Sequence, residues 1–231
     1  APKSTPSIDK ARASAFIKRA RGTFNFWNLV NIHFLGCVGH SIIIVYAVPM
    51  AIYKGIDPLV ASGVLATFMA VSVITRFASP VLSELFSPKI IMAASYFLQG
   101  ATVFMLLLAD TPFQFYLFGV IFGIGYGGEG AVFPIINYRY YRNAPIGTIY
   151  GWQMLGAGLG MALGGWIGGW LFDLTGAYTL TILISAATSL GGTASILVLA
   201  NPQNHLIPDW GRGLTEEALP EGMDGLHIST H

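Results

Sequence analysis

The chain has 231 residues, of which 54% are hydrophobic and only 10% charged, with a formal net charge of +1. A soluble domain carries about 25% charged residues. A chain this short has too little surface helix to enclose several long apolar ones, so composition excludes an ordinary soluble globular protein. The single cysteine, Cys37, excludes an internal disulfide.

Residues 1–10 are polar and include Pro2 and Pro6. From Ala11 to Arg21 the basic residues Arg12, Lys18, Arg19 and Arg21 stand among Ala and Phe. That pattern fits a short basic helix on an anionic membrane surface, and it fits a solvated linker equally well. Residues 1–23 are assigned to this segment. Uncharged intervals, with His counted as neutral, then cover 22–53, 58–75, 90–109, 111–128, 143–172 and 174–208. About 20 apolar residues cross the roughly 30 Å of bilayer hydrocarbon. The sequence therefore predicts an all-α membrane protein with six transmembrane helices, near Phe26–Tyr53, Leu59–Leu82, Lys89–Ala109, Phe113–Tyr138, Gly147–Leu171 and Tyr178–Ala200. The runs are apolar on all sides, whereas barrel strands alternate. The first run is too long for the core of a secretory signal, and no small-residue cleavage site follows it.

Connections are short. "KGIDP" and "ADTP" place Asp57-Pro58 and Asp110-Thr111-Pro112 between spans, each offering a helix stop, an N-cap and a proline to begin the next helix. The transmembrane domain is assigned to residues 24–200. Residues 201–231 are rich in Pro, Gly and charge and are expected to form a mobile cytoplasmic tail. His205, His227 and His231 in that tail lack the spacing of metal ligands.

With six spans, Lys3, Lys10, Arg12, Lys18, Arg19, Arg21, Lys89, Arg139, Arg142 and Arg212 all fall on one side, and Lys54 alone on the other. The positive-inside rule then predicts that both termini are cytoplasmic. The expected location is a bacterial inner membrane.

In the fifth span Gly156, Gly160, Gly164 and Gly168 recur every four residues, a small-residue ridge on which another helix can pack closely. Two ionisable residues lie inside spans, Arg76 and Glu129. Such groups are costly at membrane depth and are functional candidates by default. A guanidinium stays charged and grips carboxylates in a bidentate manner. A carboxyl in low dielectric favours its protonated form and is a possible proton carrier. Three arrangements are open: an Arg76–Glu129 ion pair, a substrate anchor at Arg76 with a proton site at Glu129, and a protonated Glu129 against helix backbone. Gly125, Gly127, Gly128, Gly130 and Pro134 surround Glu129 and suggest a cavity or a distorted helix there.

His33 and His40 are seven residues apart on one helix face. The helical rise separates them by roughly 10 Å, too far to share one metal, and no metal or other cofactor is expected. His40, with Ser41 and Tyr46 nearby, fits either hydrogen-bonded packing or a substrate contact. Tyr126, Asn137, Trp152 and Gln153 are candidates for a cavity wall or for helix packing. The sequence contains no GxSxG, Walker A, HExxH or CxxC pattern, which argues against an enzyme. No basic patch beyond the amino-terminal segment suggests nucleic-acid binding.

Three stretches give the chain a family likeness. "TRFASPVLSELFSPK" (75–89), "FGIGYGG" (122–128) and "GTIYGWQMLGAGLGMALGGWIGGWLFDLTGAY" (147–178) resemble the carboxy-terminal half of a major facilitator superfamily transporter. The similarity is greatest to the branch of monocarboxylate transporters and oxalate–formate antiporters. The first stretch follows the family loop pattern at Arg76, Ser83, Pro88 and Lys89, with Glu84 in place of an aspartate and Pro80 and Ser87 in place of glycines. The resemblance implies that Arg76 faces a central cavity and binds a substrate carboxylate; His40, Tyr46 and Tyr126 are expected from their placement to shape that site. It implies a gate loop at Glu84 and Lys89. It also implies that spans one, two, four and five line the cavity, and that two six-helix halves rock to give alternating access. The expected partners are a small organic anion, the lipid bilayer and a second six-helix half, in the same longer chain or in another subunit. The alternative expectation is a non-transporting structural or assembly subunit of a larger membrane complex.

Overall fold

The computed structural model describes residues 6–141 and 146–200. The expected tail at 201–231, with its histidines and Arg212, and the residues Lys3 and Arg142 lie outside the described residues. All regular structure among the described residues is helical. A first helix, α1 (Pro6–Arg21), precedes α2 (Phe24–Tyr53), α3 (Pro58–Leu85), α4 (Pro88–Val103), α5 (Met105–Leu108), α6 (Pro112–Tyr141), α7 (Ile146–Thr175) and α8 (Thr179–Val198). Helices α4 and α5 form one span, so six segments are long and apolar enough to cross a membrane, as the sequence predicts.

The ends of these helices follow local chemistry. Asp57 accepts hydrogen bonds from the backbone N–H groups of Leu59 (2.9 Å) and Val60 (3.4 Å), with Pro58 in the first turn of α3. At the start of α6 the Thr111 hydroxyl accepts from Gln114 N–H, and the Gln114 side chain accepts from Thr111 N–H at 3.0 Å. This is a capping box in which each residue satisfies the other's free donor. The third span breaks at Phe104, just beyond Thr102, whose hydroxyl donates to the Leu98 carbonyl at 2.5 Å. Such back-bonding competes with the helix ladder and bends helices. Pro49, Pro80 and Pro134 each lie inside an uninterrupted helix.

Loop contacts fix the up-and-down order. Lys54 pairs with Asp110 at 2.7 Å and the Tyr53 hydroxyl donates to the Gly176 carbonyl at 3.2 Å. The α2–α3, α5–α6 and α7–α8 connections therefore share one end. At the other end Lys89 donates to the carbonyls of Leu197 (2.9 Å) and Leu199 (2.6 Å), closing the last turn of α8 where cations are favoured. The Tyr140 hydroxyl donates to the Ala200 carbonyl at the same end. Helix α1 also packs there, with Phe16 and Ala20 fully buried, Trp27 Nε1 donating to the Arg21 carbonyl and the Arg21 guanidinium over the Trp152 ring. Arg21, Lys89 and Arg139 thus gather at one end and Lys54 at the other.

Glycine determines how the spans meet. A Cβ on Gly156 would stand 2.9 Å from Val30 Cγ1, one on Gly160 would strike the Phe34 carbonyl oxygen, and one on Gly164 would lie 2.5 Å from the Val38 carbonyl oxygen. Gly168 faces the Tyr46 ring in the same way. The ridge read from the sequence therefore packs α7 against α2, backbone to backbone. A second ridge, not anticipated, lies on α6. Gly119, Gly123 and Gly127 meet the carbonyls of Val64, Phe68 and Ser72 on α3, while Gly125 and Gly128 meet Ser95 and Gln99 on α4. The expectation of a distorted helix around Glu129 is corrected by this packing. Helix α6 runs unbroken between α3 and α4, and its glycines admit two neighbours at close range.

Candidate functional site

Glu129 is 3% exposed and faces α2 and α4. One carboxylate oxygen, Oε2, lies 3.3 Å from His40 Nδ1 and accepts a hydrogen bond from Gln99 Nε2 at 2.8 Å. Gln99 is 1% exposed and His40 5%. A buried carboxylate needs a charged or strongly donating partner. His40 and Gln99 are those partners. Arg76 and Glu129 do not form an ion pair, so the first of the three open arrangements is ruled out. His40–Glu129 and Lys54–Asp110 are ion pairs.

Arg76 instead lies exposed on α3. Its guanidinium sits over the Tyr126 ring, 5.4 Å from the centroid, and beside Gly130, where a Cβ would be 3.5 Å from Cζ. Tyr126 meets His40 edge to face at 4.9 Å and Phe68 at 5.1 Å. Four residues that the sequence singled out are therefore contiguous. The line runs from Arg76 at the exposed face through Tyr126 and His40 to Glu129 in the interior. A guanidinium on an aromatic face keeps its fork of donors available to an anion.

Other candidates stand apart from this line. The Tyr46 hydroxyl donates to the Gly165 carbonyl at 2.5 Å, and its ring packs on Gly168, which places it in the α2–α7 contact. Asn137 and Gln153, both fully buried, join α6 to α7 through a 2.6 Å bond from Gln153 Nε2 to Asn137 Oδ1. Glu84 is exposed, and Lys89 bonds to the end of α8. Ser87, where the family loop pattern has glycine, adopts φ 140°, a conformation that costs a non-glycine residue of order 1–3 kcal/mol.

Gln99 and Cys37 belong to the buried group, and sequence reasoning did not select them as site residues. A glutamine inside an apolar run and the 33, 37, 40 spacing of His33, Cys37 and His40 along one helix face were the available signals. What they lacked was a reason to bring α4 to α6.

The family model described as Major Facilitator Superfamily matches residues 29–219. Comparison with curated proteins yields no match. The match spans most of the chain and agrees with six antiparallel apolar helices carrying ionisable groups at depth. The chain is a multi-pass membrane protein and belongs to the major facilitator superfamily, a family of membrane transporters.

Proposed function

We propose that this chain is one half of a carrier for a small organic anion of the monocarboxylate type, working by alternating access with a second six-helix half in a bacterial inner membrane. The observation that carries this reading is Arg76. It is a cation inside an apolar helix, exposed on the surface of the bundle and without a carboxylate partner among the described residues. A permanently charged group at that depth requires an anion or water. A substrate carboxylate satisfies it in the bidentate geometry that guanidinium favours. In this reading Tyr126 shapes the anion site. His40 helps to shape it, Glu129 gains and loses a proton as the cycle proceeds, and the basic end of the bundle faces the cytoplasm.

The test is uptake of labelled short-chain carboxylates by proteoliposomes of the complete carrier. Arg76→Lys keeps the charge and removes the bidentate fork, and should lose most uptake while folding normally. Wild-type uptake by that variant refutes the anchor role.

A further inference from the structure

Cys37, His40 and Glu129 are each buried, and one ligand atom from each lies within 4.8 Å of the other two. We propose that these three residues form a binding site for a single divalent transition-metal ion of the Zn²⁺ type, joining α2 to α6. The expectation of no metal rested on the distance between His33 and His40. The cluster needs only His40, with Cys37 one turn earlier on the same helix face and Glu129 arriving from α6.

Geometry and charge both favour the site. Two nitrogen or oxygen ligands of tetrahedral zinc stand about 3.4 Å apart, given metal–ligand bonds of about 2.0–2.2 Å. His40 Nδ1 and Glu129 Oε2 are 3.3 Å apart, already at the edge length of that tetrahedron. Thiolate, imidazole and carboxylate form a borderline-soft set that selects Zn²⁺ or its neighbours over Mg²⁺ and Ca²⁺. Binding releases the thiol proton of Cys37. A thiolate and a carboxylate then balance the two positive charges, leaving a neutral site in the apolar interior. Gln99 supports the arrangement from outside the ligand set. Its Nε2 holds Glu129 Oε2 at 2.8 Å, fixing the carboxylate as outer partners of metal ligands do. Its other polar atom, Oε1, is buried without a hydrogen-bond partner.

The experiment uses the full chain in lipid nanodiscs with Co²⁺ as the probe and Zn²⁺ as the competitor. The expected result is one Co²⁺ per chain, displaced by Zn²⁺, with the absorption of a thiolate-to-cobalt charge transfer. Cys37→Ser should abolish that absorption. His40→Ala and Glu129→Gln should each weaken binding by more than the roughly 10–100-fold cost of losing an outer partner. Circular dichroism checks that each variant is folded, and the charge-transfer band of the unaltered chain tests the site without any variant. Absence of stoichiometric cobalt overturns the proposal, as does cobalt bound without sulfur absorption. Cobalt retained undiminished by all three variants also overturns it, and points to His205, His227 and His231 in the tail. The assay contains no carboxylate and no second half, so its failure leaves the transport reading standing. That reading is decided separately by Arg76→Lys uptake.

Discussion

Replacing Gly160 by alanine adds one methyl group where α7 crosses α2. The new Cβ would overlap the Phe34 carbonyl oxygen and stand 3.0 Å from Cys37 Cβ. Neither obstacle is the end of a flexible side chain, so the helices must move apart. Overpacking of this kind costs about 1–3 kcal/mol. Gly158 provides the control two residues away. It is exposed, a Cβ there meets nothing within 4 Å, and Gly→Ala in a helix gains about 0.5–1 kcal/mol. The two variants share the same chemical change and the same gain in helix preference, so they should differ by the overpacking cost alone, about 1–3 kcal/mol, with Gly160→Ala the less stable. Reversible unfolding of the chain in mixed micelles measures this difference. Equal effects of the two substitutions, or a Gly160→Ala chain as stable as the unaltered one, refute the claim that backbone contact along this ridge holds α7 in place.

Gly123→Ala on α6 should destabilise to a similar degree, because its Cβ would lie 2.7 Å from the Phe68 carbonyl oxygen; the same unfolding assay reads it. Tyr96 is fully buried between Gly36 and Gly192 and donates to the Ile32 carbonyl at 3.1 Å. Tyr96→Phe keeps the ring and should cost about 0.6 kcal/mol and no more than about 1.7, the average and the maximum measured for hydrogen bonds between membrane helices. For the carrier reading, Glu129→Gln should remove the response of carboxylate uptake to an imposed pH gradient, and an unchanged response rejects its proton role. Zn²⁺ should inhibit uptake by occupying Glu129, with recovery on chelation; uptake indifferent to Zn²⁺ in a chain that binds it separates the metal site from the transport cycle.

The six spans were legible because each uncharged interval is as long as a bilayer is thick, and charge placement alone marks their ends. Asp57 and Asp110-Thr111-Pro112 were readable as caps for the same local reason. The α7 ridge was readable because its glycines keep a strict interval of four. The α6 ridge has that interval too, at 119, 123 and 127. It was obscured by Gly125, Gly128 and Gly130, which serve other neighbours, so the segment resembled a weakened helix. The partner of Glu129 was harder to find. Arg76 is the obvious opposite charge, but a helix surface offers several directions, and only packing decides which residues meet. Helix α6 turns Glu129 towards α2 and α4, and leaves Gly130 beneath Arg76.

That arrangement bears on how a charge in the interior can act on the whole bundle. The glycine ridges bind α7 to α2 and α3 to α6 through backbone contacts, which yield little without separating the helices. The His40–Glu129 bond crosses from one of these pairs to the other, at 3.3 Å and out of reach of solvent. A change in its charge is poorly screened there. Protonating Glu129, or replacing the proton by a metal, therefore alters the attraction between two stiff units rather than the position of one side chain. Tyr126 touches both His40 and Arg76, so the exposed guanidinium is one ring away from that seam. In the carrier reading, an anion drawn to Arg76 and a proton held by Glu129 act on the same contact from its two ends, which makes the seam between the α2–α7 and α3–α6 pairs the place where substrate and proton are coupled.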